Sequence, residues 1–150
     1  MDVDQYLQRI GYGGAREPTL ETLRGLHLRH LESVPFENLD VQSRRPIILD
    51  EAAFFEKIVR GRRGGFCYEL NGLFAACLRT LGFQVTYLSG RVASEGRWPS
   101  CPDFDHLLLE VSLDGPWLRV ERVLGSAEEL EQALLEHFGI PRGALGRGAG

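Results

Sequence analysis

Cys67 follows two glycines and opens an apolar helical pattern, a placement that gives a thiol a route to nucleophilic chemistry. The stretch reads Arg63-Gly64-Gly65-Phe66-Cys67-Tyr68-Glu69-Leu70-Asn71. Beyond it, Leu70, Leu73, Phe74, Cys77, Leu78 and Leu81 recur at the spacing of a helix face packed into a core, and Gly82 follows as a stop. Cys67 therefore stands at or just before a helix N-terminus, behind a flexible Gly-Gly turn. Unpaired N–H groups and the positive end of the helix dipole favour a thiolate there. Position alone also fits a small buried apolar residue, as free cysteines commonly are. A thiolate nucleophile needs a base, and the base needs an orienting acceptor. His106 opens a strand after a loop, 39 positions past Cys67, and is the best base; the two can meet only by tertiary folding. Taken alone, His106 also fits a strand-end histidine with a solvated ring.

The elements that must bring these residues together can be read in order. Val3, Tyr6, Leu7 and Ile10 share one face of a first helix, broken by Gly11, Gly13 and Gly14. A second helix opens at Pro18-Thr19-Leu20, with Leu20, Leu23, Leu26, Leu28 and Leu31 as its apolar set and Pro35 as its end. His27 and His30 flank that stripe and read as solvated or rim histidines. Phe36-Glu37-Asn38-Leu39 reads as a loop, with Phe36 and Leu39 as core plugs. Ile47-Ile48-Leu49 is a short β-like run, and Asp50 caps a helix at about 51–60 with Ala52, Phe55, Ile58 and Val59 inward. Arg60, Arg62 and Arg63 form a basic cluster before the cysteine turn. Arg63 can assist Cys67, pair with Glu37, or belong to a solvated surface. The period then changes to two over residues 84–92 and again from His106 to Leu113, and Asp114-Gly115 predicts a hairpin into Trp117-Leu118-Arg119-Val120. Ser126-Ala127-Glu128-Glu129 fits a capping box for a last helix with Leu130, Ala133, Leu134 and Phe138 on its apolar face.

The fold class expected is α+β: an N-terminal helical bundle over 1–83 carrying the cysteine, a curtailed antiparallel sheet or barrel over 84–124 carrying the histidine, a C-terminal helix over 125–141, and a disordered tail over 142–150. At 150 residues, 43% hydrophobic and 25% charged, the chain suits one domain, or two small ones sharing a core, of an ordinary globular protein. No apolar run approaches a membrane span, and the acidic start Met1-Asp2-Val3-Asp4 lacks a signal-peptide core. A net charge of −4 argues against nucleic acid as the main partner. Three cysteines, Cys67, Cys77 and Cys101, lack framework or zinc spacing. A cytoplasmic protein with reduced thiols and no structural metal is expected.

The cysteine stretch resembles the active-site motif of the arylamine N-acetyltransferases. Val34-Pro35-Phe36-Glu37-Asn38-Leu39 resembles that family's first motif. Leu81-Gly82-Phe83-Gln84-Val85 with Gly90-Arg91-Val92 resembles the segment after its catalytic helix, and Asp105-His106-Leu107-Leu108-Leu109 the strand carrying its histidine. Four pieces in order over about residues 3–118 make the resemblance specific. It implies a cysteine-proteinase-like core and an acetyl transfer from acetyl-CoA, as cosubstrate, to an arylamine or hydrazine through an acetyl-cysteine, with ping-pong kinetics. It makes Cys67 the acetyl acceptor and His106 its base, held as an ion pair. Amides around Cys67 and Tyr68 would stabilise the oxyanion. Phe36, Glu37, Phe66, Tyr68 and Arg63 would shape the substrate pocket.

The third member of the triad departs from the family. Its strand reading Asp-Val-Gly-Phe-Gly has no counterpart after Trp117-Leu118. Glu121 lies fifteen residues past His106, the family's distance, although counting from Trp117 points to Val120. A glutamate's extra methylene moves the carboxylate by about 1.5 Å, and a 1 Å misplacement can cost about 100-fold in rate. Alternatively, Arg122 through Ile140 resembles the family's far C-terminal helix. The middle of the barrel, the triad aspartate and much of the coenzyme lid would then be missing, and Glu121 would be a coincidence of the junction. A partial barrel exposes strand edges through which copies of the chain could pair into a homo-oligomer. Two rival readings stand beside the transferase: a non-catalytic remnant acting as a binding module, and a Cys–His hydrolase that needs no amine acceptor.

Overall fold

The computed structural model describes residues 1–90 and 106–113, all within one unit, Met1–Arg119. Five helices, α1 (Val3–Ile10), α2 (Leu20–Ser33), α3 (Leu39–Gln42), α4 (Glu51–Phe55) and α5 (Cys67–Thr80), precede two strands, β1 (Gln84–Gly90) and β2 (His106–Ser112). This is the α+β class expected, with the helical bundle first and the antiparallel sheet after it. The predicted hairpin after Asp114, the last helix, the tail, Cys101 and Glu121 lie outside the described residues.

Local chemistry sets the helix ends. Asp2, Thr19 and Asp50 each accept the backbone N–H three residues on, at 3.1, 3.2 and 2.7 Å, so the first turns of α1, α2 and α4 begin with a satisfied donor. Gly11 closes α1 at φ 65°, a left-handed conformation that favours glycine. The Asp50 cap was legible in the sequence, but the helix it starts changes character. After Phe55 it widens into a π-helical turn, Glu56–Arg60, in which Gly61 N–H reaches Glu56 O at 2.8 Å.

The core is built on α5, whose residues Leu73, Ala75, Cys77 and Leu78 are fully buried. Around it pack Tyr6, Leu7 and Ile10 of α1, Leu26 of α2, Phe54 and Phe55 of α4, and Ile58 and Val59 of the π turn. Arg9 braces three segments from below, donating to Ile58 O at 2.9 Å, Ser33 O at 2.8 Å and Arg63 O at 3.4 Å. β1 and β2 pair antiparallel from Gln84 against Ser112 to Gly90 against His106, and pack on α5.

Several expectations are corrected. Helix α2 turns Thr22, Leu26 and His30 inward, while Leu20, Leu28 and Leu31 are exposed. The stripe holds at Leu26 and, in part, at Leu23, and fails at the other three leucines, where Thr22 and His30 take the inward places instead. His30 is therefore not a rim residue: it is 4% exposed, whereas His27 is half-buried; burial lowers the pKa of both rings. Ile47-Ile48-Leu49 forms no strand and leaves Ile48 and Leu49 exposed, with no partner strand beside it among the described residues. Phe36 and Leu39 are exposed rather than core plugs, and Leu39 starts the short helix α3 where a loop was expected. Ala52 faces out and Phe54 takes the inward place.

Candidate active site

The cysteine turn is held by close backbone approach rather than by flexibility. Glu37 N–H donates to Gly65 O at 2.9 Å and Gly65 N–H to Pro35 O at 3.3 Å, a parallel bridge between the Phe36 segment and the turn. A side chain on Gly64 would collide with the Pro35 carbonyl, and one on Gly65 would lie 2.8 Å from Glu69 Oε2. The two glycines are there because two backbones and a carboxylate meet, not to let the turn move. Phe66 is the N-cap of α5 and Cys67 its first residue. Phe66 has no side-chain acceptor, so the cap comes from Glu69, whose Oε2 accepts the Phe66 N–H at 3.1 Å.

Cys67 is 6% exposed and lines a cleft of about 300 Å³. His106, the first residue of β2, lines the same cleft. Asn71, one turn along α5 from Cys67, donates from Nδ2 to Leu107 O at 2.6 Å. That bond fixes the strand end carrying His106 to the helix carrying Cys67. The two residues singled out in the sequence thus meet across one cleft. Phe36 also borders it, with Val34, Pro35 and Leu70 completing an apolar wall.

The other expected pocket residues lie elsewhere. Phe66 and Tyr68 sit against each other, ring centroids 5.8 Å apart, and are not among the residues bordering the cleft. Glu37 and Arg63 belong to an ion cluster on the Glu69 side of the turn. Arg63 donates to Glu37 Oε1 at 2.8 Å and Asp40 Oδ1 at 2.9 Å, so of the roles open to Arg63 the structure shows pairing. Lys57 is the hub, 2.8 Å from Asp40 Oδ2, 2.8 Å from both oxygens of Glu69, and 3.7 Å from Glu37 Oε1. Hydrogen bonds from Lys57 and Arg63 hold the Asp40 carboxyl down at about 2. Burial works against the Lys57 charge, yet the hydrogen bonds to Asp40 and Glu69 raise its pKa above the ordinary value.

On the α2 side the cleft wall is neutral. His30 Nδ1 is 2.7 Å from the Tyr6 hydroxyl, and the ring stacks on Phe74 at 5.1 Å between centroids; His27 stacks on Phe74 at 5.8 Å. Burial pushes the Tyr6 phenol well up and the His30 imidazole down to about 4. The phenol therefore keeps its proton and donates to Nδ1, leaving the ring proton of neutral His30 on Nε2, a buried atom with no hydrogen-bond partner among the described residues. Sequence reasoning missed Lys57, Asn71 and His30 as parts of the site. Lys57 and Asn71 carry no local signal, because their partners come from distant segments. The spacing Thr22, Leu26, His30 is the one pattern that could have marked His30 as inward.

A family model described as N-acetyltransferase matches residues 19–121, spanning both Cys67 and His106. The chain belongs to the arylamine N-acetyltransferase family. It is 43% identical over 135 residues to the pineal gland isozyme of arylamine N-acetyltransferase from Gallus gallus, covering 89% of this chain and 47% of that protein. It is 51% identical over 114 residues to the arylamine N-acetyltransferase / N-hydroxyarylamine O-acetyltransferase of Salmonella typhimurium, covering 75% of this chain and 40% of that one. The structure of the Mycobacterium marinum arylamine N-acetyltransferase in complex with CoA superposes with a TM-score of 0.70 at 42% identity, over 76% of this chain and 42% of that one. The chain thus spans somewhat under half the length of these relatives.

Proposed function

We propose that this chain transfers an acetyl group from acetyl-CoA to an arylamine or hydrazine through a thioester on Cys67. The observation that carries the reading is that Cys67, at the start of α5, and His106, at the start of β2, border one cleft. The relative of known structure that binds CoA supports the choice of donor.

In the first half-reaction the Cys67 thiolate attacks the thioester carbonyl of acetyl-CoA. The tetrahedral oxyanion forms beside the first turn of α5, where the backbone amide of Cys67 and the helix dipole favour negative charge. The bond to the coenzyme sulfur breaks, and that sulfur leaves with the proton held by the His106 imidazolium. In the second half-reaction the amine nitrogen attacks the acetyl-cysteine carbonyl. His106, now neutral, takes a proton from the nitrogen, and the Cys67 thiolate leaves. The flat apolar wall of Val34, Pro35, Phe36 and Leu70 suits an aromatic acceptor. Phe66 and Tyr68 flank the nucleophile, and Glu37 and Arg63 support the turn. Cys67 and Cys77 are free thiols among the described residues, which fits a reducing cytoplasm.

Intact mass after brief mixing with acetyl-CoA tests this. One acetyl group should appear on the wild type, be discharged by an arylamine, and be absent from Cys67→Ala. Release of acetate without an amine would favour the hydrolase reading; no adduct on folded protein would favour the binding module. Glu121→Gln in the same assay reads the third member. A large loss of rate assigns Glu121 to His106, and an unchanged rate removes it from the site.

A further inference from the structure

We propose that Lys57 is a positioning residue for the nucleophile, one that ties the Phe36 segment to the cysteine turn and neutralises the carboxylates gathered beside it. The proposal rests on the reading of Cys67 as nucleophile and adds a residue outside the cleft that sets its reactivity.

Three observations carry it. First, the Lys57 side chain is 13% exposed and its ammonium lies within ion-pair distance of three carboxylates from two separate segments: Glu37 and Asp40 of the Phe36 segment, and Glu69 in the first turn of α5. Second, Glu69, 5% exposed, is the residue that caps α5 through the Phe66 N–H, so the lysine fixes the carboxylate that orders the turn holding Cys67. Third, Lys57 lies on the π-helical turn Glu56–Arg60, and interruptions of this kind recur at functional sites because they re-aim the side chains they carry.

The charge balance gives the lysine its role. Glu37, Asp40 and Glu69 contribute three negative charges, Lys57 and Arg63 two positive ones; Arg45 reaches Asp40 only at 3.6 Å and is 69% exposed. Without Lys57 the cluster gains a net negative charge next to the helix end that must stabilise a thiolate. Like charge disfavours ionisation. On the opposite side Cys67 faces His106 from β2 and His27 and His30 from α2 across the cleft. Those groups are unchanged by substitution at position 57.

The test is the pH profile of Cys67 alkylation by iodoacetamide in the full chain, with Cys67→Ala as blank and thermal unfolding alongside. Lys57→Gln should move the midpoint of the profile upward by about half a unit, roughly a threefold slower reaction on the acid limb of the profile, below the midpoint. Lys57→Gln with Glu69→Gln should return it toward the wild-type value, because the neutral amide oxygen still accepts the Phe66 N–H while the extra negative charge is gone. Lys57→Arg should keep the midpoint. A profile that stays put in Lys57→Gln while only the melting temperature falls would make Lys57 a structural strut and overturn the proposal. A midpoint that rises in the single variant and does not return in the double would overturn it too. Alkylation does not depend on turnover. Should the wild type alkylate normally yet take no acetyl group, the transferase reading fails while the Lys57 profile still decides this claim.

Discussion

The two supports of the cysteine turn are made of opposite materials. On the α2 side, Tyr6, His30, His27 and Phe74 form a wall of stacked rings in which neither phenol nor imidazole carries charge. On the Glu69 side, Lys57 and Arg63 bind three carboxylates. The wall is tied by the neutral Tyr6–His30 hydrogen bond, by ring stacking and by burial, so it resists any charge placed on it. The cluster is held by charge and tolerates its partial burial only because each ion has opposite partners within reach. Cys67 between them has apolar walls on one side and a fixed, nearly balanced field on the other.

The largest expected effect comes from breaking the cluster at its most buried member. Glu69→Ala should cost about 3–5 kcal/mol, because it leaves a half-buried ammonium one carboxylate short and uncaps α5. Urea unfolding would measure it, and a cost below about 1 kcal/mol would show the cluster to be ornamental.

Acid separates the two supports. The His30 pKa is lowered from 6.5 to about 4 in the folded chain, so the native state binds fewer protons than the unfolded state between those values. Stability from neutral His30 is complete above about pH 6.5 and lost as pH falls toward 4. The loss is about 3 kcal/mol at 1.36 kcal/mol per unit. His27, also lowered by burial, adds in the same direction. Asp40 loses its contribution only below its ordinary value of 3.8, toward about 2. Melting temperature against pH should therefore fall first in the His30 window, and His30→Gln should flatten that first fall alone.

A smaller effect is expected at the joint between helix and strand. Asn71→Ala removes the bond to Leu107 O and should cost about 1–2 kcal/mol in stability. It should slow acetylation more than binding, because His106 loses its registration against Cys67. Single-turnover rates against substrate concentration would separate the two. The smallest effect is that of salt. Raising ionic strength to about 0.5 M should cost the cluster less than about 1 kcal/mol and leave the neutral wall unmoved.

Much of the bundle was legible before the structure. Asp50 caps a helix where its side chain suggests, the second helix opens at Thr19-Leu20 as read, and Cys67, Leu73, Phe74, Cys77 and Leu78 follow the helical period into the core. The strand from His106 begins at the residue where alternation begins. What escaped was decided by tertiary pairing. Of the leucines in α2, Leu26 and Leu23 face the core as read, while Leu20, Leu28 and Leu31 are exposed; His30 is inward because it finds its partner in Tyr6, 24 positions away. Ile47-Ile48-Leu49 has strand-like composition and no neighbouring strand among the described residues. The π turn has no local signature in residues 56–60, and Lys57 shows its value only when Glu37, Asp40 and Glu69 converge on it. Of the candidate site, the sequence singled out Cys67 and His106, which border one cleft. The residues that hold them in place were not legible there.

The most direct test of the central claim is the single-turnover rate of Cys67 acetylation by acetyl-CoA in wild type and in His106→Gln. A base that shares the cleft with the nucleophile predicts a rate lower by at least about 100-fold in the variant, with the fold unchanged by circular dichroism and no adduct in Cys67→Ala. Equal rates in wild type and His106→Gln would contradict the account, for they would mean that the two residues border one cleft without acting together.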